Sequence, residues 1–112
     1  MTLGIQYEVF DNILKVRGSS FIKEFDEDFE RHCRKLLESA AHTLVFDLTE
    51  LQQVNSTCVI MAGRIFSAMS GTDKTFTVRA RTPGIRLFEI CGFTFDRRIR
   101  LETVSEKAWH RA

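Results

Sequence analysis

Five consecutive residues, Leu44-Val45-Phe46-Asp47-Leu48, carry four apolar side chains with no polar alternation. A strand with one wet face alternates, so an unbroken run predicts a strand shielded on both faces and placed at the centre of a sheet. Thr49-Glu50-Leu51-Gln52-Gln53-Val54 and then Asn55-Ser56-Thr57 break the run, after which Val59, Ile60, Ala62, Gly63, Phe66 and Met69 recur three and four apart. That spacing makes one face of a helix. Asn55 or Ser56 suits its N-cap, because a short side-chain oxygen there accepts from an otherwise orphaned amide. Two hydroxyls, of Ser56 and Thr57, therefore fall at the positive end of a helix dipole, where a phosphate bound or carried would be stabilised. The same residues also make an ordinary cap that needs no switch.

The flanking chain supplies alternating elements. Ile5, Tyr7 and Val9 alternate with polar residues, as do Leu14 and Val16 after Asp11-Asn12, which reads as a β-hairpin with a two-residue turn closed by Gly18-Ser19-Ser20. Residues 22–41 place Phe25, Phe29, Cys33, Leu36, Leu37 and Ala40 on one helical face, acidic early and basic late as the dipole favours. The acidic run Glu24, Asp26, Glu27, Asp28 and Glu30 thus reads as a solvated helix start and not a metal site. Gly71-Thr72-Asp73-Lys74 is a turn before a strand over residues 75–79, and Thr82-Pro83-Gly84 opens a shorter helix ending near Gly92. A strand over residues 99–103 and a last helix from Ser105, carrying Ala108 and Trp109, follow. The expectation is a single α/β domain over residues 1–112. Its mixed, mostly parallel sheet has about five strands, an N-terminal hairpin and four helices, in the order β-β-α-β-α-β-α-β-α. Two parallel strands ending near Leu48 and Arg79 would bring Ser56 and Arg81 to one carboxyl edge, where sites collect in such sheets.

Charge and cysteines narrow the function. The formal net charge is +1, which gives no general pull on nucleic acid or membrane, yet acidic residues prevail up to Ser56 and basic ones after it. Cys33, Cys58 and Cys91 are odd in number and set far apart in apolar helical patterns, so reduced thiols are expected. The start has neither the basic residues nor the apolar run of a signal peptide, and no segment approaches a membrane span, which places the chain in the cytoplasm by expectation. No zinc spacing and no phosphate-binding glycine loop occurs, so no cofactor or metal is expected. Asp47 is expected hydrogen-bonded at the sheet edge and not acting as a base. Arg79, Arg81, Arg86, Arg97, Arg98 and Arg100 offer either a basic patch or a solvated face paired with Glu89, Asp96 and Glu102. No aromatics interleave with them as nucleic-acid binding would want.

The order of elements, residues 44–59, and Arg86-Leu87-Phe88-Glu89-Ile90-Cys91-Gly92-Phe93 resemble the STAS domain, shared by sulfate transporters and anti-sigma-factor antagonists, over residues 5–109. The resemblance implies the fold just given and a non-enzymatic regulatory, protein-binding role. In the antagonists an Asp-Ser-Ser/Ala-Gly motif follows the central strand, its first Ser is phosphorylated by an anti-sigma kinase, and the dephosphorylated form binds that kinase and releases a sigma factor. Ser56 matches the phosphorylated position and Thr57 the following small one. Asn55 stands where the family has Asp, Cys58 where it has Gly, and Phe21 about where many members carry an acid. The residues expected to meet a partner are Asn55, Ser56, Thr57, Cys58 and Arg81, with Ser56 and then Thr57 the phosphorylation candidates.

Two other readings stand beside the phosphoswitch. The substituted motif favours a constitutive STAS module, a scaffold subunit of a sensing assembly or a cytoplasmic accessory subunit of an ABC lipid transporter. A thiol enzyme using Cys58 at the helix start is the alternative of another class. The sequence gives it little, because His32, His42 and His110 lie in different elements with no partner pattern.

Overall fold

A computed structural model describes residues 5–19 and 27–105. Five strands form one sheet in the order β1-β2-β3-β4-β5: β1 Gln6–Phe10, β2 Ile13–Gly18, β3 Thr43–Leu51, β4 Thr75–Arg81 and β5 Ile99–Val104. The first two strands pair antiparallel across the Asp11-Asn12 turn, with Phe10 opposite Ile13 and Asp11 at φ 58°. Aspartate tolerates that left-handed backbone better than bulky residues do, which suits it to a two-residue hairpin. All later pairings are parallel.

Three helices, α1 Glu27–Leu37, α2 Ser56–Ala68 and α3 Thr82–Ile90, join the strands. The expected count of four helices is therefore corrected to three among the described residues, in the order β-β-α-β-α-β-α-β. The fourth was read from residue 105 onward; β5 runs to Val104, Ser105 is not helical, and Ala108 and Trp109 lie outside the described residues. Helix α1 also ends at Leu37 and not at residue 41, leaving Ala40 exposed. Its end is tightened by Glu38 N to Lys35 O and Ser39 N to Leu36 O, while Lys74 Nζ donates to the carbonyls of Ser39 and Ala41. Lys74 thus pins the segment that leaves α1, two and four residues past its end. The expected positions of Ile22 and Phe25 lie outside the described residues.

Strand order explains where the core sits. β2 to β5 advance across the sheet without reversal, so right-handed crossovers place every connecting helix on the same face. Tyr7, Leu14, Val16, Leu44, Phe46, Leu48, Phe76 and Val78 point to that face, and all but the half-buried Tyr7 are buried. Tyr7 meets Phe29 of α1, Phe66 of α2 meets Phe76, and Phe93 after α3 meets Phe76 and Phe88.

No helix among the described residues covers the other face. β3 is central as expected, yet Val45, Asp47 and Thr49 are buried there by side chains of neighbouring strands. Register puts Lys15 beside Asp47 and Asp47 beside Arg79. Lys15 and Arg17 both reach Glu50, Arg17 reaches Glu8, and Arg79 joins Glu102 at 2.7 Å and Asp47 at 3.6 Å. Long charged side chains thus roof the middle of the sheet with their methylenes. Phe10 stands at the margin, 74% exposed.

Candidate functional site

The candidate site is the connection from β3 to α2. β3 ends at Leu51, and residues 52–55 have no regular structure. Three neighbours hold them. Gln52 N donates to Gly18 O and Gln53 N to Ser19 O, each at 2.8 Å, which moors the loop to the end of β2. Arg81, the last residue of β4, donates from Nη2 to Leu51 O at 3.0 Å. Gly84 in the first turn of α3 lies against Val54 so closely that a Cβ there would stand 3.0 Å from Val54 Cγ2.

Asn55 then caps α2. Its backbone is extended, at φ −127° and ψ −176°, its Oδ1 accepts from Thr57 N at 3.1 Å, and its carbonyl accepts from Cys58 N at 2.9 Å. Ser56 is the first helical residue and is exposed; Thr57 is half-buried. The first turn of α2 carries no acidic side chain, so no local carboxylate offsets the positive end of the dipole. The structure thus brings Asn55, Ser56, Thr57 and Cys58 onto one helix start. Arg81 meets the loop at its other end, at Leu51 O, and lines a cavity of about 250 Å³ with Leu48, Gln52, Val54 and Pro83.

Cys58 faces inward. It is fully buried, its Sγ donates to Asn55 Oδ1 at 3.8 Å, and burial pushes its thiol up to about 11, against a smaller downward pull from backbone hydrogen bonds at Asn55 and Cys58. A helix start ordinarily favours thiolate, but here desolvation wins. The thiol is consequently packed into the core and held protonated at neutral pH, which makes it a poor nucleophile there. Among the described residues no group of three or more His, Cys, Asp or Glu side chains could hold a metal ion.

The six arginines do not form one patch. Arg79 and Arg100 project from the face without helices, Arg81 serves the β3–α2 loop, Arg86 is on α3, Arg97 is exposed in the turn before β5, and Arg98 pairs with Asp96 while stacking 4.9 Å over the ring of Phe66. Asp47 is hydrogen-bonded, but in the body of the central strand: its Oδ1 accepts from Thr49 N at 2.9 Å and Thr49 Oγ1 at 2.7 Å. Val54 and Gly84 were not singled out by sequence. Pro83-Gly84 reads locally as helix-start chemistry, and nothing near it points to a residue thirty positions earlier.

Taken together, one helical layer, a five-stranded mostly parallel sheet and an opening hairpin define a STAS-like α/β domain. No family model matches the chain, and no curated protein matches it in sequence. Among solved structures it is similar to an anti-sigma factor antagonist from Mycobacterium paratuberculosis, with 19% identity over 96% of this chain and 92% of that one and a TM-score of 0.64. At that identity the likeness carries the fold. No helix among the described residues is long and apolar enough to cross a membrane.

Proposed function

We propose that the chain is a non-enzymatic cytoplasmic regulatory domain of the anti-sigma-factor-antagonist kind, which docks an anti-sigma kinase-like ATPase through the start of α2 and is switched by phosphorylation of Ser56. The observation that carries this reading is the exposure of Ser56 at the first position of a helix whose N-cap is filled by its neighbour. A capped helix start fixes the hydroxyl in place while leaving it open to a second macromolecule. Adding a phosphate of about −2 charge there would not unfold the domain, because the dipole favours it, but would change what the surface repels and attracts. Thr57 is half-buried whereas Ser56 is exposed, which favours Ser56 as the acceptor. Asn55 and Cys58 are joined at the cap of the helix start, and Arg81 holds the loop that leads into it.

A second reading, a constitutive STAS scaffold or an accessory subunit of an ABC lipid transporter, is favoured by one observation. Cys58 occupies the glycine position of the motif as a buried packing residue, so the helix start is built more rigidly than a glycine would leave it.

Affinity capture from the native host with wild type, Ser56→Ala and Ser56→Asp separates the two. The phosphoswitch expects a histidine-kinase-like ATPase with wild type and Ser56→Ala, its loss with Ser56→Asp, and phosphate on Ser56 under some growth condition. Recovery of a transporter ATPase or sensor scaffold, equally with all three, overturns it in favour of the second reading.

A further inference from the structure

We infer that Gly84 is a positioning residue for Ser56: the bare backbone at the start of α3 sets where the β3–α2 loop rests, and through it where the serine is presented. This builds on the reading of Ser56 as the docking residue but is tested without it.

The glycine is not there for its own backbone. Its φ lies outside the left-handed region that the turn glycines Gly71 and Gly92 occupy, and in a helix glycine is entropically worse than alanine. What it supplies is closeness. A Cβ would stand 3.0 Å from Val54 Cγ2, 3.3 Å from Val54 Cβ and 3.1 Å from Ala80 Cβ. Ala80 is fully buried inside β4 and has nowhere to go. Val54 is half-buried, belongs to a loop without regular structure and borders the cavity of about 250 Å³. The displacement therefore falls on Val54, whose next residue is the cap Asn55 and the one after it Ser56. Hydrogen bonds at Leu51, Gln52 and Gln53 moor the loop upstream of Val54. Val54 itself packs against the core, and Gly84 is its tightest neighbour on the α3 side.

The test is a size swap in the full isotope-labelled chain, read by amide resonances and hydrogen exchange at Ser56, Thr57 and Cys58. Gly84→Ala moves the Ser56 and Thr57 resonances and speeds exchange of the Thr57 amide, bonded to Asn55 Oδ1, by about tenfold. Val54→Ala alone removes the same contact from the loop side and also speeds that exchange; being half-buried beside a cavity, it folds even if Gly84→Ala does not. The double variant restores contact with the sizes reversed and returns the Thr57 amide toward wild type. If Gly84→Ala moves only Ala80 and Ile85, if Val54→Ala leaves Thr57 exchange unchanged, or if the double variant restores nothing, the inference is overturned. Should the size swap behave as expected while Ser56→Asp still binds the captured partner like wild type, the docking role of Ser56 falls and positioning by Gly84 stands.

Discussion

Asn55 Oδ1 accepts from the amide of Thr57 at 3.1 Å, joining the residues on either side of Ser56 and leaving the exposed serine between them. Asn55→Ala removes that acceptor and should destabilise the domain by about 1 kcal/mol, as loss of an N-cap does. In a chain of this size that lowers the thermal midpoint by about 3–6 °C. Asn55→Asp keeps the acceptor and adds a charge at the positive end of α2, so it should stabilise by about 0.3–1 kcal/mol, less at high salt. Thermal unfolding of both variants in low and high salt checks the pair; equal midpoints for all three proteins would mean that the cap carries no weight.

Asp47 is 5% exposed and makes its two short bonds to the next residue but one, Thr49. Asp47→Ala strands a buried amide and a buried hydroxyl and should cost about 1–3 kcal/mol. Asp47→Asn retains an acceptor of the same shape and loses chiefly the attraction of Arg79 at 3.6 Å, a partly solvated contact worth about 0.5–1 kcal/mol. Chemical denaturation should rank wild type above Asp47→Asn above Asp47→Ala.

Gly92 follows the cap of α3 at φ 73°, and nothing lies within 4 Å of where its Cβ would be. The cost of Gly92→Ala is accordingly backbone strain alone, about 1 kcal/mol, and Gly92→Asn should cost less because asparagine tolerates that region. Denaturant midpoints of the two variants give the comparison directly.

The thiols divide by exposure. Cys91 is exposed, whereas burial pushes Cys33 up to about 12 and Cys58 up to about 11. Alkylation near pH 7.5 should modify Cys91 and spare Cys58 until denaturant is added; rapid labelling of Cys58 in the folded chain would reopen the thiol-enzyme reading. Well below pH 9 both folded and unfolded chains keep the Cys58 proton, so pH has no effect through this group. From its ordinary 9.0 toward about 11 the unfolded chain sheds the proton while the folded one holds it, so stability falls as pH rises. Cys58→Ala should flatten the part of the alkaline decline that Cys58 causes.

The elements themselves were legible because their signals are local. The two-residue spacing of Leu14 and Val16, the three- and four-residue spacing in α2, the Asn55 cap and the left-handed Gly92 all act within a turn of the chain, and each stands where its neighbours imply. The unbroken run in β3 correctly marked the central strand but implied cover on both faces. That cover comes on one side from helices and on the other from the stems of Lys15, Arg17 and Arg79, and apolar pattern alone does not distinguish a helix from a roof of long side chains.

What the sequence by itself determined is therefore the identity and order of the strands and of the three helices among the described residues, and the exposure-ready serine at a capped helix start. Tertiary structure alone decided that the helices share one face, that the arginines scatter instead of gathering, and that Gly84 bears on Val54. These depend on the summed handedness of successive crossovers and on which distant backbones come into contact, and no window of neighbouring residues contains that sum.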